Sequence, residues 1–164
     1  MSKHNDIIVS EDDDPFSIQL ATEGVELPSE SKFRSWVQAA LGDLERPKPP
    51  DASIPWVNLR IVDETESAEL NAHWRNKQGP TNVLSFPADV PGFLGDVVLC
   101  APVVVDEAAA QDKRVEDHWA HLTIHGVLHL LGFDHQTPDE ADDMEMREVT
   151  ILKDLGINNP YLER

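Results

Sequence analysis

The chain has 164 residues, a length typical of one domain. With 40% hydrophobic and 27% charged residues, its composition predicts an ordinary globular core and excludes a collagen, a coiled coil or a disulfide-bonded scaffold. Thirteen Lys and Arg against 31 Asp and Glu give a formal net charge of −18, which argues against a protein whose whole surface coats nucleic acid or an anionic membrane. A polyanionic partner therefore requires a local basic patch or a metal ion.

The amino-terminal residues do not have the pattern of a signal peptide, so we do not expect export. Residues 1–14 are polar, contain no apolar stretch of signal-peptide length and end in acidic residues, so we expect a flexible acidic arm ahead of a folded domain over residues 15–164. The longest apolar run, residues 97–105, is far shorter than the roughly 20 residues that span a membrane. A single cysteine, Cys100, cannot form an intramolecular disulfide. We therefore expect a cytoplasmic protein.

Hydrophobic periodicity predicts the elements in the first part of the chain. Residues 16–21 are predicted to form a strand and residues 31–44 an amphipathic helix. A proline-rich connection follows over residues 45–55. Residues 57–62 alternate with period two, as a half-buried strand does, and residues 64–76 are predicted to form a second helix.

The second part of the chain adds two short strands and three helices. The strands are predicted over residues 82–86 and 95–101. The helices are predicted over residues 102–113, 116–131 and 137–156. The order β-α-β-α-β-β-α-α-α predicts the α+β class: a single domain with one mixed β-sheet packed with helices, whose central helix is the one over residues 116–131.

Five of the seven histidines fall within residues 118–135. His125 and His129 are four residues apart on the central helix, so their side chains differ by about 40° of rotation and about 6 Å of rise. Gly132 ends that helix and permits a reversal that returns His135 towards the pair. Three neutral nitrogen ligands with an open fourth position are typical of catalytic zinc. The spacing therefore predicts one zinc ion per chain on His125, His129 and His135.

Two neighbouring positions bear on the choice of metal ligands and on the class of enzyme. His121 lies one turn earlier on the same stripe, about 12 Å of helical rise from His129, so we expect it beside the ligands or in the core. Gly126 occupies the place of the glutamate in the His-Glu-x-x-His motif, which argues against a metallopeptidase. Glycine costs about 1 kcal/mol in a helix interior, so a substrate or a neighbouring strand is expected to approach closely there.

The segment His-Gly-Val-Leu-His-Leu-Leu-Gly-Phe-Asp-His, residues 125–135, resembles the signature of the bacterial YbeY family of single-strand-specific endoribonucleases, which act in ribosomal RNA maturation. The similarity covers roughly residues 31–162, with further matching segments at residues 74–77, 80–87, 94–96 and 118–121. It implies a zinc-dependent RNA hydrolase with His125, His129 and His135 as metal ligands, acting in 16S rRNA 3′-end maturation and ribosome quality control. It also implies that Arg75 matches a family arginine that is important for activity and faces the zinc.

The resemblance implies single-stranded rRNA as the substrate. It implies the small ribosomal subunit, a small-subunit ribosomal protein and an Era-type GTPase as partners. The strong negative charge predicts weak unaided RNA binding, which favours delivery by such partners. A non-catalytic, zinc-stabilised ribosome-assembly factor and a zinc peptidase or amidase are the alternative functions. The sequence does not choose between water and the RNA 2′-hydroxyl as the nucleophile.

Three further residues are candidates for the same groove. Ser85 and Asp96 lie in strands that belong to matching segments, although spacing alone does not place them. Asp134 precedes a proposed ligand, so it either holds a ligand imidazole or serves only as a turn residue.

Overall fold

A mixed sheet forms the framework of the domain. The computed structural model describes residues 7–9, 16–42 and 56–162. The strands are β1 (Ile7–Val9), β2 (Phe16–Ala21), β3 (Trp56–Val62), β4 (Val83–Val90) and β5 (Phe93–Cys100). Their spatial order is β1-β2-β3-β5-β4, with β2, β3 and β5 parallel and with β1 and β4 antiparallel at the two edges. The predicted mixed sheet is confirmed.

The described residues include five helices, and the predicted bounds agree to within a few residues wherever the structure describes them. The helices are α1 (Glu30–Gly42), α2 (Glu64–Arg75), α3 (Ala101–Ala110), α4 (Val115–Leu130) and α5 (Pro138–Asp154). The capping box predicted at Thr137 and Glu140 is present, and the stop at Gly132 has a positive φ of 102°. Within the described ranges, no helix is both long enough and apolar enough to cross a bilayer.

One strand is an addition to the sequence prediction. β1 lies within the segment predicted to be a flexible arm, and its three residues pair antiparallel with β2. The rest of residues 1–14, the predicted helix end at Leu44 and the proline-rich connection over 45–55 lie outside the described residues. The division into an arm over 1–14 and a metal-dependent hydrolase domain over 15–164 stays a prediction.

The main core lies between one face of the sheet and helices α1, α4 and α5. Alternate strand residues such as Leu59 and Leu99 point to this face and are fully buried. The rings of Phe33 and Trp119 pack edge to face at 5.6 Å between α1 and α4. A smaller cluster on the opposite face packs against Leu70 of α2. Helix α4 is therefore held against the sheet from several sides, which gives its side chains a rigid support.

Helix α4 approaches the sheet most closely at Gly126. A Cβ atom at this position would lie only 2.5 Å from Val97 Cγ1 and 3.3 Å from Ser85 Oγ. The Ser85 hydroxyl donates a hydrogen bond of 2.9 Å to the Gly126 carbonyl. The close approach that the sequence indicates at Gly126 is thus made by strands β4 and β5.

Candidate active site

Three histidines lie together at the carboxyl end of α4. His125 and His129 are on consecutive turns of the helix, and their Nε2 atoms are 3.1 Å apart. The turn at Gly132 returns the chain, which brings the ring of His135 to 5.7 Å from that of His125 and 5.0 Å from that of His129. One nitrogen of each ring lies within 4.8 Å of the other two. The reversal predicted from the sequence therefore assembles a group that can hold a metal ion.

The donor set of this histidine cluster, His125, His129 and His135, fits zinc. Zinc bonds of 2.0–2.1 Å in a tetrahedral site place two ligand nitrogens about 3.3 Å apart, close to the separation of the His125 and His129 Nε2 atoms. Burial and the two neighbouring imidazoles lower the pKa of His129 to about 4, so this ring is neutral at neutral pH. Neutral imidazole suits zinc and other transition metals, whereas magnesium and calcium prefer oxygen ligands.

A carboxylate that the sequence analysis missed fixes the orientation of one of these rings. Glu148 of α5 is 0% exposed, and its Oε2 accepts a hydrogen bond of 2.5 Å from Nδ1 of His125. Its Oε1 accepts one of 2.8 Å from His121 Nε2, and the Tyr161 hydroxyl also donates to Oε1. With its Nδ1 proton donated to Glu148, His125 presents the lone pair of Nε2 to the histidine cluster.

Glu148 is ionised in this environment. Burial alone would raise its pKa, but hydrogen bonds from His121 and His125 lower the pKa to about 2. A signal for this role exists in the sequence, because Glu148 follows the buried Met144 by four residues and precedes the buried Ile151 by three. A glutamate on the apolar stripe of an amphipathic helix requires a buried partner.

His121 lies beside the histidine cluster, as expected. Its side chain is 12% exposed, and its Nε2 bonds to Glu148. His121, His125 and Glu148 form a second group of possible ligands within 4.8 Å of one another. In that group Nε2 of His121 and Nδ1 of His125 both bond to the buried Glu148, so these atoms are already occupied by the carboxylate.

Arg75 lines the same cleft as the histidine cluster. It is the last residue of α2, where a cation complements the helix macrodipole. The following loop is anchored by a hydrogen bond of 2.9 Å from Asn71 Nδ2 to the Gly79 carbonyl. The Arg75 guanidinium donates a hydrogen bond of 2.8 Å to the carbonyl of Ser85 on the edge strand β4 and lies 5.9 Å from the centre of the Phe86 ring. The backbone of β4 thereby sets the position of this cation.

One cleft of about 580 Å³, the histidine cleft, contains both features. Arg75 and Lys77 line it together with the three histidines, so positive groups and the histidine cluster share one space in a chain with a charge of −18. Ser85 and Asp134 also line it. The Asp134 carboxylate accepts a hydrogen bond of 2.7 Å from the backbone N–H of His135, which is the contact of a turn residue.

Asp96 lies elsewhere. It belongs to β5 but points to the opposite face of the sheet, where its Oδ1 accepts a hydrogen bond of 2.9 Å from Asn58 Nδ2. It does not line the histidine cleft; it lines an adjacent cleft that includes Trp74 and Phe86. Asp96 pairs with Phe86 across strands β5 and β4, and Ser85 directly precedes Phe86. Because successive strand residues alternate between faces, the side chains of Ser85 and Asp96 are on opposite faces of the sheet.

The sequence and the fold are both similar to known proteins. The family model described as Endoribonuclease YbeY matches residues 17–156. A Coxiella burnetii protein named Endoribonuclease YbeY is 48% identical over 151 residues, covering 89% of this chain and 97% of that protein. A Pseudomonas syringae protein of the same name is 47% identical over 152 residues, covering 89% and 87% of the two chains.

A solved structure shares the fold. The solution structure of a Thermotoga maritima protein has a TM-score of 0.51 and 22% sequence identity, covering 89% of this chain and 99% of that one. Because the family model covers most of the chain and the curated relatives are similar over almost their full lengths, the chain belongs to the Endoribonuclease YbeY family.

Proposed function

We propose that this protein is a zinc-dependent endoribonuclease that cuts single-stranded ribosomal RNA, in the maturation of the 16S rRNA 3′ end and in ribosome quality control. RNA cleavage is supported by the family to which the chain belongs. The observation that carries the proposal is the cleft that Arg75 lines together with His125, His129 and His135. A cation and a bound metal ion in one cleft can supply a nucleophile and stabilise the negative charge that develops when a phosphodiester is cut.

His125, His129 and His135 would hold the zinc ion. When bound, zinc supplies a Lewis acid and lowers the pKa of water, which together favour attack on phosphorus. The chain's own contribution is to orient one of these imidazoles and to keep another neutral. Glu148 orients His125, while burial keeps His129 unprotonated at neutral pH.

Arg75 would bind the phosphate that is cut. Its guanidinium has five N–H donors, and among the described residues a single hydrogen bond, to the Ser85 carbonyl, ties it to the wall of the cleft. The remaining donors can bond to non-bridging phosphate oxygens, whose negative charge increases in the transition state. Lys77, which lines the same cleft, adds a second positive charge. This pair offsets, at one place, the repulsion of RNA by an acidic surface.

The same charge balance supports delivery by partners. Affinity for RNA rests largely on cations that neutralise phosphates, and 13 Lys and Arg stand against 31 Asp and Glu. We propose that the small ribosomal subunit, through a ribosomal protein and an Era-type GTPase, brings the RNA to a cytoplasmic enzyme. Binding to isolated RNA is then weak and binding on the ribosome stronger.

A cleavage assay with matched variants tests this function. Single-stranded 16S rRNA fragments and the same fragments annealed to a complement are incubated with wild type, Arg75→Ala and His129→Ala, and bound zinc is measured in each preparation. Arg114→Ala removes another exposed arginine, which does not line the histidine cleft, and is the control. We expect wild type and Arg114→Ala to cut only the single strand. We expect both cleft variants to fail, with zinc missing only from His129→Ala.

Two other results would contradict parts of the proposed function. If all preparations cut equally, the nuclease activity belongs to a contaminant and the assembly-factor alternative replaces it. If Arg75→Ala unfolds, Arg75→Lys replaces it, because lysine keeps the positive charge but lacks the planar set of N–H donors. A folded Arg75→Lys that cuts at the wild-type rate would contradict the role given to the guanidinium. The ends of the products identify the nucleophile, because attack by the 2′-hydroxyl leaves a 2′,3′-cyclic phosphate.

A further inference from the structure

An exposed tryptophan stands beside the histidine cleft. Trp74 lies in the last turn of α2, immediately before Arg75, and is 61% exposed. Its ring packs edge-on against Phe86 of β4, with the ring centres 6.1 Å apart, and against His73 at 4.7 Å. These contacts hold the indole in place while leaving much of its surface open to solvent. A large aromatic surface held in this way is suited to contact with a ligand.

Trp74 forms one wall of a second cleft, which we call the base cleft. Its volume is about 530 Å³, and Leu70, Phe86 and Val98 supply further apolar surface. Arg60, Glu66 and Asp96 supply polar groups. Apolar walls with a few polar groups are typical of sites that bind small, flat organic groups.

The charges in the base cleft are largely satisfied within the protein. Arg60 donates hydrogen bonds to both carboxylate oxygens of Glu66, at 2.5 and 2.9 Å. Asp96 accepts a hydrogen bond from Asn58. With Arg75 at the rim, two arginines are balanced by two carboxylates. The base cleft therefore favours an uncharged group with hydrogen-bonding edges over a phosphate.

The two clefts meet across the edge strand β4. Arg75, Ser85 and Pro87 line both of them, so the two clefts adjoin each other at Arg75. In RNA the group next to a phosphate is a nucleoside, whose base is flat, uncharged and polar at its edges. The shape and charge of the base cleft match that group.

We propose that the base cleft binds the base of a nucleotide adjacent to the cut phosphodiester, with Trp74 as the surface on which the base stacks. This inference rests on the proposed cleavage of RNA at the histidine cleft. Stacking on an aromatic side chain tolerates any base sequence and requires a base that is free of its own duplex. Trp74 thereby makes single-stranded RNA the preferred substrate.

The test couples a change in the protein to a change in the RNA. Single-stranded oligonucleotides carry one abasic nucleotide, moved stepwise through the positions on both sides of the cut. Binding to metal-free protein is measured by fluorescence anisotropy, and kcat/KM is measured with zinc-loaded protein. The variants are Trp74→Ala and Trp74→Phe. Trp56→Ala is the control, because Trp56 is also exposed but packs on Phe93 and lines neither cleft.

We expect removal of one particular base to weaken binding and lower kcat/KM about tenfold in wild type. Trp74→Ala loses about the same factor on intact RNA, and removal of that base then has no further effect. Trp74→Phe restores most of the difference, and Trp56→Ala behaves as wild type. If Trp74 had only a structural role, Trp74→Ala would still lose binding and kcat/KM when that one base is removed.

Failure of this inference can be distinguished from failure of the proposed function. If wild type cuts RNA but Trp74→Ala responds to every abasic position as wild type does, the base cleft is refuted and the nuclease function stands. If wild type does not cut but Trp74 and one base are coupled in binding, the nuclease function is refuted and the base cleft stands. If RNA is neither bound nor cut, both are overturned.

Discussion

The carboxylate of Glu148 holds Nδ1 of His125 at 2.5 Å, while Nε2 of the same ring lies 3.1 Å from Nε2 of His129. One nitrogen of His125 is thus committed to a buried acceptor and the other to the histidine cluster. The two residues are on different helices, α4 and α5. The packing of α5 on α4 therefore decides the direction in which a proposed metal ligand points.

We expect Glu148→Gln to weaken zinc binding about 10–100-fold. Both histidine partners of Glu148 need an acceptor, and glutamine places an amino group against one of them. Zinc affinity is measured by competition with a chelator. Glu145→Gln makes the same change at an exposed site on α5 and is expected to keep the wild-type affinity. A folded Glu148→Gln with wild-type zinc affinity would refute the orienting role of the carboxylate.

Metal analysis of single histidine variants separates the two possible ligand groups. If zinc is held by His125, His129 and His135, alanine at any of these positions removes it, and His121→Ala keeps it at about one ion per chain. If the ion were held instead by His121, His125 and Glu148, His135→Ala would keep it and His121→Ala would lose it. Elemental analysis after gel filtration gives the answer.

Local patterns predicted most of the fold, since most elements carry their periodicity in residues near in sequence. The helical spacing of His125 and His129 and the stop at Gly132 are local features, so the geometry of the pair and the return of His135 followed from them. β1 was missed because three apolar residues carry too little periodicity, and their strand exists only by pairing with β2.

Features that depend on distant parts of the chain could not be derived from spacing. The position of Arg75 depends on its bond to Ser85, ten residues away on an edge strand, and its role was inferred only from the family resemblance. Glu148 is 23 residues from His125, and its surroundings on α5 are rich in exposed acidic residues. The strand that approaches Gly126 was anticipated as one of two possibilities, but its identity required the sheet order.

We expect Gly126→Ala to lower the free energy of unfolding by about 1–2 kcal/mol, although alanine favours helix formation by about 1 kcal/mol. The added Cβ would lie 2.5 Å from Val97 Cγ1, and a β-branched side chain on a central strand has little room to move. Gly42→Ala is the control, because in the described part of the chain no atom outside its own helix backbone and its chain neighbours lies within 4 Å of a Cβ at that position. Urea denaturation that shows equal or greater stability for Gly126→Ala would contradict the close packing of α4 on the sheet.

Burial of His118 predicts a pH dependence of stability. Its side chain is 4% exposed, and burial lowers its pKa in spite of the hydrogen bond of 2.9 Å to Glu107; nearby His121 and Lys113 lower it further. The unfolded chain therefore takes up a proton first, near the ordinary histidine pKa of about 6.5, and the free energy of unfolding decreases as the pH falls below that value.

The variant His118→Gln lacks this titration, so we expect its free energy of unfolding to fall less than that of wild type between neutral pH and pH about 5. Urea denaturation of metal-free protein measures both curves, which keeps zinc release out of the comparison. His73→Gln, at an exposed position on α2, controls for the loss of one histidine. Wild type and His118→Gln with the same slope would contradict the assignment, because a buried neutral imidazole that resists protonation must lose stability to an unfolded state that accepts the proton.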